Sequence, residues 1–217
     1  INGEYENIVS SFDERTKASG FFTVDFKNYK EPKILLAEDM YFGTPTKAKN
    51  EDKLIFTKEN CTEYPDLWVS DQKFDHPRKI SDANPQQKLY NWAFASLVKW
   101  TSFSGETLEG ILYLPENFDP HKKYPMIVYF YERNSDNLFR HSTPSPSRSI
   151  INRPFYASNG YIIFVPDITY KTGYPGQSAF NAIVSGTNYL INNFQFIDKT
   201  KIGLQGQSWG GYQTAYL

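Results

Sequence analysis

Lys201-Ile202-Gly203-Leu204-Gln205-Gly206-Gln207-Ser208-Trp209-Gly210-Gly211-Tyr212 is the stretch that decides how this 217-residue chain folds. A short apolar run, Lys201–Leu204, enters a glycine-rich turn, and the turn leads into a helix. Gly206-x-Ser208-x-Gly210 thus sits at a strand-to-helix junction. A serine hydroxyl is a weak nucleophile unless it is offered to a base and an oxyanion site together. A sharp, strained turn between strand and helix makes that offer. Side chains at positions 206 and 210 would run into the neighbouring strand and helix. The Trp209 amide, just past the serine, would be free to donate to a developing oxyanion near the helix N-terminus. The alternative is an ordinary glycine-rich turn; the apolar strand before the motif and Gly211-Tyr212 after it argue against that.

Upstream, Tyr161-Ile162-Ile163-Phe164-Val165 and Met126–Tyr131 are almost continuous apolar runs, as strands covered on both faces require. Residues 178–193 have helical period, with Phe180, Ile183, Val184, Thr187 and Leu190 or Ile191 on one side. Leu97–Thr101 and Gly110–Leu114 read as a hairpin across Ser104-Gly105-Glu106. Strand, helix, strand, glycine-rich turn and helix together are the grammar of a parallel α/β sheet. The sequence changes character near residues 85–100. Before that come short β-like runs, Phe21–Phe26, Lys33–Leu36, Lys53–Thr57 and Asp66–Ser70, at roughly 10–15-residue spacing, which reads as antiparallel sheet. Asp66–Asp71 followed by Lys79–Asp82 looks like two outer strands of a propeller blade, although a closed propeller needs about 4–8 four-stranded blades.

Composition narrows the function classes. Lys plus Arg (23) and Asp plus Glu (24) nearly cancel and form no block, which removes the footprint of a nucleic-acid surface or a polybasic membrane patch. Mean hydropathy is −0.56, and no apolar run approaches the ~20 residues of a spanning helix. No membrane insertion, nucleic acid, metal or cofactor is expected. The single Cys61 excludes an internal disulfide and multi-cysteine metal sites without fixing the compartment.

Gly206-Gln207-Ser208-Trp209-Gly210-Gly211-Tyr212 resembles the nucleophile segment of the prolyl oligopeptidase family, in its dipeptidyl-peptidase and acylaminoacyl-peptidase branches. Lys123–Tyr131 resembles the family's strand that ends in an oxyanion-hole tyrosine. Gly160–Asp167 resembles the next strand, and Gly173-Tyr174-Pro175-Gly176 the glycine-rich loop that follows. The resemblance is sharp over about residues 95–217 and looser before them. It implies an α/β class with two parts: the last blades of a β-propeller over residues 1–90, then the N-terminal part of an α/β-hydrolase domain over 91–217, incomplete at its C-terminus. It further implies a serine peptidase acting on short peptides, with homo-oligomers possible in the family. Ser208 would be the nucleophile, and the Trp209 amide and Tyr131 the oxyanion donors. Tyr129 and Tyr131 have a second reading, as cover for the sheet. After Tyr131 the family's small glycine-rich continuation is replaced by Glu132-Arg133-Asn134, and Ile168-Thr169-Tyr170-Lys171 interrupts the family's usual run after Asp167. Asp167, Gly173 and Gly176 are expected to scaffold the rim of the site.

In the α/β-hydrolase order the acid and histidine follow the serine, yet only nine residues follow Ser208 and none is Asp, Glu or His. The chain therefore reads as a piece of a longer protein, inert alone. His76, His121 and His141 precede the serine and read as solvated or locally bonded side chains. Arg133, Arg140, Arg148 and Arg153 read as surface charges on a mobile connection rather than a carboxylate clamp. Two other function classes stay open: an esterase or other acyl hydrolase on the same fold, and a non-enzymatic propeller–hydrolase module.

Overall fold

A computed structural model describes residues 6–147 and 149–217. It divides into two units, one reaching Pro85 and joined by Phe139–His141, the other comprising Gln86–Leu138 and Ser142–Leu217.

The first unit is antiparallel β-structure. Strands β1 (Glu6–Phe12), β2 (Ser19–Asp25) and β3 (Lys33–Glu38) pair in that order. Strands β4 (Tyr41–Phe42), β5 (Thr46–Lys47), β6 (Leu54–Glu59), β7 (Asp66–Ser70) and β8 (Arg78–Lys79) form a second sheet of order β4-β6-β7-β8, with β5 also on β6. Alternation on β6 turns Leu54 and Phe56 inward and leaves Ile55 exposed, the two-residue period of a half-buried strand. Phe21, Phe42, Phe56 and Phe74 form the centre of this unit, with Phe21 and Phe74 stacked at 4.6 Å between ring centroids. The buried Asp66 carboxylate takes hydrogen bonds from Ser81 Oγ (2.5 Å) and the Ala83 amide (2.8 Å), and Lys79 Nζ lies 2.5 Å away.

Arg140 departs from the expected role of a loose surface charge. Its Nη1 lies 3.0 Å from Glu59 Oε1, a carboxylate buried at the end of β6, and its guanidinium covers the Tyr41 ring at 3.8 Å. A buried acid draws in a cation because an unpaired carboxylate away from water is costly. Arg148 lies outside the described residues.

The second unit is one mixed sheet with helices. Strands β9 (Ala93–Thr101), β10 (Thr107–Pro115), β11 (Tyr124–Phe130), β12 (Ile162–Pro166) and β13 (Ile197–Gly206) lie in the order β13-β11-β12-β10-β9. β11 is parallel to β12 and β13; β10 is antiparallel to β12 and β9. The unbroken apolar character of β12 follows from burial of all five of its residues. Helices α1 (Arg153–Ser158), α2 (Pro175–Asn193) and α3 (Trp209–Tyr216) complete the unit.

The buried face of α2 is rotated from the expected one. Ala179, Ala182, Ile183, Gly186 and Leu190 are buried, whereas Phe180, Val184 and Thr187 are only partly so. The helix lies so close to the sheet that its packed face is built of small residues. A Cβ at Gly186 would stand 2.8 Å from the Trp100 ring, and Trp100 fills that space with its indole N–H donating to Ser185 Oγ at 3.0 Å.

Candidate active site

β13 delivers Ser208 into α3 with φ 53° and ψ −112°. A non-glycine residue with positive φ is strained and persists only where its surroundings over-determine it. Here the surroundings are two glycines with no room for a side chain. A Cβ at Gly206 would stand 2.2 Å from the Gly210 carbonyl oxygen, and one at Gly210 would stand 2.5 Å from the Phe130 carbonyl oxygen. The first turn of α3 is therefore pressed against both its own incoming strand and the end of β11.

The register fixes what meets there. Phe130 pairs with Gly206 across the parallel β11–β13 ladder, so Tyr131 and Ser208 leave the sheet at the same end, one and two residues beyond paired positions. Tyr131 is 37% exposed, whereas Tyr129 is 8% exposed and burial pushes its phenol pKa up. Tyr129 is thus the residue that covers the sheet, and Tyr131 the one presented at its end. Trp209 is the first residue of α3, and a first-turn amide has no partner within its own helix. The next turn is closed by Gly210 N–H to Gln207 O (2.8 Å) and Tyr212 N–H to Ser208 O (3.1 Å).

Asp167, at the end of β12, ties down the segment that follows β11. Its Oδ1 accepts from the Asn134 and Ser135 amides at 2.6 and 2.9 Å, and its Oδ2 lies 2.5 Å from Ser135 Oγ. Gly173 takes φ 85°, and a Cβ at Gly176 would stand 2.4 Å from the Tyr216 ring, so the start of α2 docks on α3. Arg133 pairs at the surface with Asp136 (2.8 Å), and Arg153 opens α1 with its guanidinium 5.7 Å from the Tyr113 ring.

Tyr170 is a residue of this neighbourhood that the sequence did not single out except as a departure from the family run. Its hydroxyl meets the Tyr131 carbonyl oxygen (2.7 Å), the Trp209 indole N–H (3.1 Å) and the Gln213 amide. These partners lie 39 and 43 positions away, beyond the reach of any periodicity.

The three histidines belong to other segments of the chain. His121 is in the turn before β11, its amide on Asp119 Oδ1. That is the opposite end of the strand from Tyr131, about 20 Å away at ~3.3 Å per residue. His76 and His141 belong to the first unit; burial lowers the His141 pKa, its amide donates to Glu59 and its ring packs edge-on to Tyr64. Among the described residues no group of three or more His, Cys, Asp or Glu could hold a metal ion. No described helix is long and apolar enough to cross a membrane.

No family model matches the chain. Dipeptidyl peptidase 8 of Mus musculus is 30% identical over 130 residues, which cover 54% of this chain and 14% of that protein. Dipeptidyl peptidase 4 of Trichophyton tonsurans is 25% identical over 213 residues, covering 87% of this chain and 26% of that protein. The chain thus resembles peptidases of the prolyl oligopeptidase family. It spans well under a third of the length of these curated relatives. Among solved structures, dipeptidyl peptidase 4 of Porphyromonas gingivalis superposes with a TM-score of 0.70 at 18% identity, covering all of this chain and 32% of that one. The acylaminoacyl peptidase of Pyrococcus horikoshii gives 0.62 at 18% identity, over 92% of this chain and 31% of that one. The fold these likenesses support is propeller-type β-structure together with strands and helices of α/β-hydrolase type.

Proposed function

We propose that the protein is a serine peptidase in which Ser208 attacks a peptide carbonyl to form an acyl-enzyme. The amide of Trp209 and the phenol of Tyr131 would donate to the oxyanion that develops on that carbonyl. The observation that carries this reading is the strained backbone of Ser208 at the β13–α3 junction, held between two glycines that admit no Cβ. Strain of this kind is retained where a side chain must be presented in a direction relaxed geometry would not give. A donor to the oxyanion contributes typically a hundredfold or more to turnover. The general base and acid of the triad are assigned to residues outside these 217, and residues 1–217 alone to an inactive piece. In this reading residues 1–90 contribute to a propeller and residues 91–217 to the catalytic domain.

The test is an intact-mass measurement of the full-length gene product with a fluorophosphonate probe, alongside turnover of dipeptidyl amides and simple esters. One adduct, lost in Ser208→Ala, together with amide cleavage is the expected result. An adduct with ester cleavage only would replace the peptidase by an acyl hydrolase. No adduct at all would remove the enzymatic reading.

A further inference from the structure

Tyr170 meets three groups from two elements: the residue after β11, the first residue of α3, and a buried side chain on the next turn of α3. The chemistry of its partners fixes the direction of every hydrogen bond. An indole N–H only donates and a backbone carbonyl only accepts, while a phenol has one proton and accepts as well. The Trp209 indole must therefore donate to the Tyr170 oxygen at 3.1 Å, and Tyr170 must give its single proton to the Tyr131 carbonyl at 2.7 Å. With that proton committed, Gln213 meets the same oxygen through its Nε2.

Gln213 is fully buried, and holding its amide this way round leaves Oε1 without a hydrogen-bond partner among the described residues. A buried acceptor left unmet is costly. The committed proton of Tyr170 fixes the amide this way round, because the reverse orientation would set Oε1 against an oxygen with no proton to offer. Burial, the largest influence on the Tyr170 phenol, raises its pKa above the ordinary tyrosine value. The hydroxyl consequently keeps the proton that it lends to Tyr131.

We propose that Tyr170 is a positioning residue that clamps the main chain of Tyr131 to the first turn of α3 and so sets the oxyanion donor against Ser208. The inference rests on the reading of Ser208 and Tyr131 given above, and deepens it. Tyr170 touches neither the reacting carbonyl nor the serine; it acts through Tyr131. Because the clamp joins residues 131, 170, 209 and 213, it ties the two sources of oxyanion donors, the strand end and the helix start, into one rigid body. Positional errors of an ångström at a reacting centre are reflected in large losses of rate.

A double-mutant cycle in the full-length protein tests this. Tyr170→Phe keeps the ring and deletes only the hydroxyl; it is expected to lower kcat about tenfold with KM within twofold of wild type. Tyr131→Phe removes the donor itself and is expected to cost about a hundredfold in kcat. The deciding measurement is the double variant. If Tyr170 works through Tyr131, adding Tyr170→Phe to Tyr131→Phe lowers kcat by no more than about twofold further, since coupled residues are not additive. Losses that multiply, or a Tyr170→Phe variant with wild-type kcat while Tyr131→Phe is crippled, would overturn the clamp and leave the oxyanion assignment standing. Wild-type kcat in Tyr131→Phe would instead overturn the assignment on which the clamp depends. A purely structural Tyr170 would lower the melting temperature and multiply with Tyr131→Phe, which separates it from the proposed role.

Discussion

Gly210 and Gly211 are adjacent in the sequence, share one helix, and should respond in opposite ways to the same added methyl. At Gly210 a Cβ would stand 2.5 Å from the Phe130 carbonyl oxygen, and real Cβ atoms essentially never approach within 3.0 Å. Either the end of β11 or the first turn of α3 must therefore move by at least about half an ångström. That contact is main chain on one side and main-chain-fixed on the other, so no side-chain rotation can relieve it. Overpacking of this kind costs about 1–3 kcal/mol, and the movement separates the strand end carrying Tyr131 from the turn carrying Ser208. A one-ångström misplacement costs about a hundredfold in rate, so half of that is expected to cost about tenfold. At Gly211 the nearest atom to a new Cβ is the Gly206 carbonyl oxygen at 3.6 Å, an ordinary contact. Replacing a helical glycine by alanine gains up to about 1 kcal/mol where the space exists. Gly210→Ala should therefore lower the denaturation midpoint and slow fluorophosphonate labelling of Ser208 about tenfold. Gly211→Ala should leave labelling within twofold and raise the midpoint slightly. Equal damage from both variants, or none from Gly210→Ala, would refute the packing argument for the turn.

Arg140→Ala should destabilise the first unit by about 1–3 kcal/mol at pH 8, because a buried carboxylate loses its cation. Burial already raises the Glu59 pKa above the ordinary glutamate value, with Arg140 opposing it. A group whose folded pKa is raised adds stability below the unfolded pKa and loses it as pH rises through the folded one. Removing Arg140 raises that pKa further, so the penalty in urea melts should shrink toward zero below the ordinary carboxylate range; a penalty flat from pH 4 to 8 would rule the pair out as its source. Asp167→Ala should free the segment after β11, accelerating amide exchange at Asn134 and Ser135, and cost about 1–3 kcal/mol as charge-assisted bonds are lost. Unchanged protection at those two amides would show that something else holds the segment. Trp100→Phe should cost about 1–3 kcal/mol in thermal or urea unfolding, from the volume left beside Gly186 and the lost indole N–H bond to Ser185; a neutral result would mean that α2 closes the gap.

What the sequence disclosed and what it concealed divide along physical lines. β11 and β12 were visible because strands covered on both faces must be apolar at almost every position. The serine turn was visible because Gly206 is demanded by a contact close in sequence, with the Gly210 carbonyl, whereas the demand on Gly210 comes from Phe130 across the sheet. α1 lies just after the Ser- and Pro-rich residues 142–149 and is too short to show a period, although its signature is present: Asn152 caps it by accepting from the Phe155 amide at 3.0 Å, and Pro154 stands in the first turn. The two-residue strands β4 and β5 are too short to carry a period. The packed face of α2 differs from the one its large residues mark, because close approach to the sheet selects Ala and Gly there. The pairing of Arg140 with Glu59 and the meeting of Tyr170 with Tyr131, Trp209 and Gln213 join positions far apart in the chain. Such contacts are made by tertiary structure alone, and no local pattern announces them.

The strand order has a consequence for how the molecule is made. β11 leaves the ribosome before either of the strands that flank it: its partners β12 and β13 begin at Ile162 and Ile197. The β9–β10 hairpin can close locally and soon, whereas β11 must wait until β12 has docked antiparallel on β10. Closing such long loops carries an entropic cost that local pairs avoid. During synthesis the largely apolar β11 is thus without backbone partners for the longest time, a state prone to association with other nascent chains. β13, the strand that carries the serine turn, is also the one whose arrival ends that exposure, so the Ser208 turn and the safe burial of β11 are completed in the same event.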